Sequence, residues 1–403
     1  VEAARVAWRY FERNTDARSG LTGSVEGFPS STLWDMGSSL YALLAARGVG
    51  LLTQRELDAR AAATLAGLAR LPLTDRRLPN KAYHAETLAM TDYANRPSAR
   101  GIGTSALDVA RLVSALEALA CLHPQHREAA AAVVSRWDAC ALAQGGELQG
   151  FHLSADGRRT ERGQEGRFGY AQYAGRVLGR LGLPTSVASS YRAFRAETPV
   201  EGVRVPHDTR TFQASGAHGY VLTEPWALSA LELGQDAESR PLLRRILDVQ
   251  RARWKRTGQV TAVTEDHVDR PPHFVYNTIL TDGQPWKALT DTGEDQDALR
   301  TVSVKAAFAL SALFPSDPYA RLLRQSVAGA FEPEKGWYAG LYERGGAPNR
   351  ALTANTNGVV LESVLYGLHG PLLQACRACG AGRARPLLDL AAACPEGPAP
   401  GGR

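Results

Sequence analysis

Six stretches of the sequence concentrate carboxylates, aromatic rings and amides. The first closes on Ser31, Thr32, Leu33, Trp34 and Asp35. The second carries Asn80, Lys81 and Tyr83, then Asp92 and Tyr93, and leads to Asp108. The third holds Glu165, Arg167 and Tyr170, and the fourth closes on Glu224 and Trp226. The fifth holds Glu265, Asp266 and Asp269, followed by Tyr276, Asn277 and Trp286. The sixth holds Trp337, Tyr342, Glu343 and Asn355.

This inventory suits cleavage of a glycosidic bond. One carboxylic acid protonates the leaving oxygen while a second carboxylate activates water or attacks the sugar. Aromatic faces stack on sugar rings, and amides and charged side chains bond the hydroxyls. The catalytic candidates are Glu165, Glu343, Asp35, Glu265 and Asp266. Which of Glu165, Glu343, Asp35 and the 265–269 cluster would be acid and which base or nucleophile is open from the residues alone. That cluster could equally bind a cation or pair with Arg270. Asp108 and Glu224 suit a plain cap or salt-bridge role. Substrate contacts are expected from Trp34, Asn80, Lys81, Tyr83, Asp92, Arg167, Tyr170, Trp226, Tyr276, Asn277, Trp286, Trp337, Tyr342 and Asn355. A lyase would need a base such as Tyr83 or His84 beside Lys81. His84, His207, His218 and His267 lack metal-ligand spacing, so no metal and no cofactor are expected.

The elements that must position these residues read as helices. Helical periodicity predicts twelve, near 2–14, 31–47, 53–69, 104–121, 125–142, 164–181, 185–196, 223–234, 236–252, 301–314, 317–330 and 355–369. Strand-like alternation is confined to 200–206 and 259–264. Connections after even-numbered helices are short, and those after odd-numbered ones are long: 15–30, 70–103, 143–163, 197–222, 253–300 and 331–354. Antiparallel neighbours joined this way place all six long loops on one face. An all-α fold follows, an (α/α)₆ barrel of six helical hairpins over 1–370, with 371–403 a Gly/Pro/Ala-rich tail expected to be poorly ordered.

The chain has 403 residues, 44% of them apolar, and a net charge of +5. That charge is too mild for a nucleic-acid groove, and no apolar run is long enough to span a membrane. The expected partner is a polysaccharide or oligosaccharide, bound by a monomer. Because the chain begins at Val1 without Met, a trimmed signal or anchor and a periplasmic or secreted location are expected. Cys121 and Cys140 would lie about 24 Å apart at 1.5 Å per helical residue, too far to pair. Cys376, Cys379 and Cys394 give a weak zinc signal in the tail.

Several motifs together resemble the bacterial domain-of-unknown-function family numbered 3131, often encoded beside exopolysaccharide genes. They are Ser31–Asp35, Leu78–Lys81, Gly101–Gly103, Gln164–Arg167, Thr264–Asp266, Tyr276–Thr278, Lys305–Phe308 and Asn349–Gly358. The resemblance spans about residues 1–373. It implies an (α/α)₆ architecture similar in outline to glucoamylases and β-1,2-glucanase-type enzymes, and a polysaccharide context. By position in that fold, Glu165 and Glu343 would be acid and base.

Overall fold

A helix that is apolar on every side belongs inside a larger assembly, whereas one with a single apolar stripe belongs on its outside. The computed structural model describes residues 1–75, 77–154, 156–379, 387–392 and 394, and both kinds of helix occur in it. In chain order the helices are α1 (Glu2–Asn14), α2 (Leu33–Gly48), α3 (Gln54–Arg70), α4 (Ala106–Leu122), α5 (Arg127–Val134) and α6 (Tyr170–Arg180). They continue with α7 (Phe212–Ser215), α8 (Glu224–Leu228), α9 (Ser239–Thr257), α10 (Val304–Leu313), α11 (Pro318–Ser326), α12 (Ala354–His369) and α13 (Leu372–Cys379). A π turn over Ser229–Leu233 extends α8.

The nearly all-buried helices α2, α4, α10 and α12 are joined by α6 and α8 in a closed ring. Packing runs from α2 to α4, α6, α8, α10 and α12, and from α12 back to α2. Outside it, α1 lies against α12 and α2, α3 against α2 and α5, α9 against α8, and α11 against α10. This is the expected helical toroid.

Two expectations are corrected. First, the chain is not all-α, because the long connections carry antiparallel strands. Ser30–Thr32 pairs with Ala82–His84, and Glu147–Leu153 pairs with Thr160–Gln164. Arg195–Val200 pairs with Val203–Asp208, and Gly336–Tyr342 pairs with both Thr301–Ser303 and Pro348–Leu352. Second, the helix expected at 185–196 is absent. Thr185 Oγ1 donates to the Gly175 carbonyl (2.6 Å), and Ser190 Oγ accepts the amides of Arg192 and Ala193. Such side-chain bonds to backbone compete with helical ones. A cavity of about 550 Å³ borders this outer position, at the C-terminal end of α6.

The cysteines also differ from expectation. Cys140 is bonded to Cys394, with Cα atoms 5.5 Å apart, so Cys394 is a disulfide partner rather than part of a zinc set. In the stretch expected as a loose tail, α13 packs on α4 and on the π turn. Glu117 accepts the amides of Leu387 (3.1 Å) and Leu388 (2.9 Å), and the Leu390 amide donates to the Leu181 carbonyl (2.9 Å).

Candidate active site

Ser and Thr caps set the geometry of the barrel's loop-bearing end. Thr32, Ser105, Ser303 and Thr353 each accept the amide three residues on, and so start α2, α4, α10 and α12. The first turns of the inner helices then converge on the axis. They bring Trp34 and Asp35 from α2, Asp108 from α4, Tyr170 from α6, Glu224 from α8, Lys305 from α10 and Asn355 from α12. Six helix N-termini aimed at one place also favour negative charge there.

Glu224 and Lys305 form the floor. Glu224 Oε1 accepts from Trp34 Nε1 (3.1 Å) and Asn355 Nδ2 (2.8 Å), and Glu224 Oε2 pairs with Lys305 Nζ. Lys305 is buried and also faces Asp266 at 3.9 Å. Asp266 accepts from Thr301 and Ser303, both at 3.1 Å, and burial pushes its carboxyl up to about 8. Asp35 accepts from Thr32 Oγ1 (2.6 Å), and burial raises its carboxyl as well. Glu265 accepts the Tyr170 hydroxyl; burial and the Glu224 charge push it up to about 7.

Nearer solvent, Glu165 Oε2 accepts the Ala106 amide (2.5 Å) at the start of α4. Burial raises the Glu165 carboxyl against the pull of Ser105 and Lys81. Beside it, burial and the Glu165 charge push Asp108 up to about 7. Asp108 thus holds a proton near neutrality under the influence of Glu165. Tyr276, stacked on Tyr220 with ring centres 4.2 Å apart, lies by Glu265, while Tyr93 lies by Asp108 and Glu165.

Of the candidates read from sequence, the structure brings Asp35, Glu165, Glu265, Asp266, Trp34, Lys81, Tyr170, Tyr276 and Asn355 together here. Others it places elsewhere. Glu343 lies on the flank, where Arg253 bonds both its oxygens (2.6 and 2.8 Å) and Arg300 lies at 3.3 Å; two guanidiniums occupy it. Asn80 is a fully buried hub that donates to Ala82 and Thr91 and accepts from Ile102. The Tyr83 hydroxyl is committed to the Asn80 amide and the Pro72 carbonyl, which removes it as a lyase base. Asp92 clamps Arg96. Arg167 bonds Gln164 and the Gly166 carbonyl. Trp226 packs between Phe168 and Tyr191, and Trp337 between Phe308 and Phe331. Trp286 donates to Glu201 and lies under Arg253, and Asn277 braces Thr264. Tyr342 donates to Asp269, which also bonds the Arg350 amide and faces Arg270, so the 265–269 cluster is split. Asp108 and Glu224, read as cap or salt-bridge residues, lie among these groups: Glu224 does form a salt bridge, to Lys305, while Ser105 rather than Asp108 caps α4. Lys305 carried no signal beyond its place in a motif.

Comparison with known proteins agrees with the architecture. A Bacteroides caccae protein provisionally described as a glucoamylase superposes with a TM-score of 0.66 at 15% identity, covering 93% of this chain and 94% of that one. The endo-β-1,2-glucanase of Chitinophaga pinensis, in complex with sophorotriose and glucose, superposes with a TM-score of 0.66 at 12% identity over 94% of each chain. That of Talaromyces funiculosus, in complex with sophorose, gives 0.58 at 13% identity, covering 93% and 85%. No curated protein matches. At these identities the likeness establishes the fold. The family of proteins of unknown function DUF3131 matches residues 2–370, and the chain belongs to that family.

Proposed function

We propose that this protein is a glycoside hydrolase acting within the chain of a bacterial exopolysaccharide, outside the cytoplasm. The observation that carries the reading is the excess of carboxylates over cations at the convergence of the inner helices, with Asp108 and Glu265 both near 7. Fold-sharing with endo-β-1,2-glucanases adds support.

Glu165 is the general acid. Its Oε2 is held by the Ala106 amide, and burial raises its carboxyl, which favours the protonated form that an acid must deliver from. Glu265, oriented by the Tyr170 hydroxyl, is the base that takes a proton from the attacking water. Water attacking from the face opposite the leaving group inverts the anomeric centre. Lys305 holds Glu224 and Asp266 beneath.

The test is reducing-end release and product sizing on β-1,2-glucan and a panel of bacterial exopolysaccharides. Wild type should release oligosaccharides, and Glu165→Gln should lower the rate about 10³-fold. Binding without products across the panel would instead identify a non-catalytic polysaccharide-binding module.

A further inference from the structure

Four rings stand in file between the axial carboxylates and solvent, and the proton transfers above use none of them. The file begins at Tyr276, which lies directly opposite Glu265 across the antiparallel strands Glu265–His267 and Phe274–Asn277. Residues paired in this way send their side chains to the same face. Tyr220 stacks on Tyr276 with ring centres 4.2 Å apart and planes 14° from parallel. His218 follows on Tyr220 at 5.5 Å and 28°, and Phe212 lies on His218 at 4.2 Å and 14°.

The file is braced along its length. The Tyr220 hydroxyl donates to the Thr290 carbonyl (2.9 Å), and the Val221 amide beside it donates to the Leu280 carbonyl (2.9 Å). His218 Nδ1 bonds Asp282 Oδ2 at 2.6 Å. A Cβ at Gly293 would lie 2.6 Å from His218 Nε2, and Gly293 sits at φ 85°, so glycine alone lets this turn close on the imidazole. A single exposed aromatic residue is ordinary on a protein surface, but Phe212 differs in what holds it. His218 covers one face of its ring, yet the residue stays 41% exposed, which leaves the opposite face to solvent. An open face at the end of a braced stack loses little freedom when a flat apolar surface settles on it. The C–H face of a sugar ring is such a surface.

We infer that Phe212 is a distal subsite of the glycan-binding face, where a sugar ring stacks as the next member of the file while the bond to be cleaved lies by Glu265. Three ring-to-ring steps separate Phe212 from Tyr276, so a disaccharide at the carboxylates stops short of it and a longer chain reaches it. This rests on the glycosidase reading, and binding measurements separate the two. The probes are a β-1,2-linked glucose disaccharide and octasaccharide, titrated calorimetrically into the full chain as wild type, Phe212→Ala and Phe212→Trp. Phe212→Ala should weaken octasaccharide binding about tenfold and leave disaccharide binding within about twofold, and Phe212→Trp should restore the octasaccharide affinity. In turnover, Phe212→Ala should raise KM for the octasaccharide by the same factor. Equal weakening at both lengths, wild-type octasaccharide affinity in Phe212→Ala, or no binding at either length would overturn the inference. The expected length dependence without released reducing ends would overturn the glycosidase reading alone.

Discussion

Two sets of carboxylates in this barrel differ in what faces them. At the axis, Asp35, Asp108, Glu165, Glu224, Glu265 and Asp266 share Lys81 and Lys305. On the flank, Glu343 has Arg253 on both oxygens and Arg300 alongside. Excess acid raises carboxyl groups toward neutrality and leaves protons available for transfer. Excess cation fixes a carboxylate as a strut. Deeper in the barrel, fully buried Arg111 pairs with both Glu232 and Glu362 and lies 5.1 Å from the Trp34 ring centre; acid is in excess there too, and burial raises the Glu362 carboxyl. A proton carrier and a strut can therefore be the same residue type in the same fold, separated by the local balance of charge.

The contrast can be broken in order of expected effect. The loss of about 10³-fold in rate for Glu165→Gln is the largest. Glu343→Ala should spare the chemistry of the folded protein and lower stability by about 3 kcal/mol, read by denaturant unfolding, because it strands buried Arg253. A loss of activity without a loss of stability would place Glu343 back in the site.

The pH profile follows. Raising pH through about 7 ionises Asp108, beside the raised carboxyl of Glu165, while lowering pH through about 7 protonates the base Glu265. Both limbs fall near the same value, so kcat/KM should be a narrow bell centred near pH 7, dropping about tenfold per pH unit on either side. A broad plateau from pH 5 to 8 would contradict the raised carboxyls of Asp108 and Glu265.

The smallest effect concerns stability. Asp266 holds its proton to about 8 when folded and loses it near 3.8 when unfolded. Between those values the folded state binds more protons, so stability falls as pH rises, until the group ionises in both states. Above about pH 6.5, His123 and His267, both lowered by burial, no longer oppose this trend. Between pH 6.5 and 8, Asp266→Asn should flatten the decline in melting temperature, and an unchanged slope would show that the group does not hold a proton.

The helical barrel was legible because burial and loop length leave marks in the sequence itself. Eleven of the twelve expected helices have counterparts, and the alternation of short and long connections matches the two ends of the toroid. The missing one, at 185–196, was lost to Thr185 and Ser190, whose bonds to backbone outcompete helical ones. Of the strands, the hairpin of Arg195–Val200 and Val203–Asp208 overlaps the alternation read at 200–206, none forms at 259–264, and Thr301–Ser303 escaped notice because it is short and finds its partner far along the chain, in Gly336–Tyr342. Within the site, Asp35, Glu165 and Glu265 were visible through their aromatic and amide neighbours. Glu343 looked equivalent, because nothing local announces that Arg253, ninety residues away in sequence, binds it. Asp108 and Glu224 were obscured by a true generality, that acids favour first helical turns. Lys305 shows its role only once the six helix starts share an axis.

The most direct test of the charge-balance account is a side-by-side measurement of Glu165→Gln and Glu343→Gln, each assayed for oligosaccharide release and for thermal unfolding. The account predicts a folded, silent Glu165→Gln with a near-wild-type melting temperature, and a Glu343→Gln that melts earlier yet cleaves. A Glu165→Gln that still releases product, or a Glu343→Gln that is stable and silent, would contradict it.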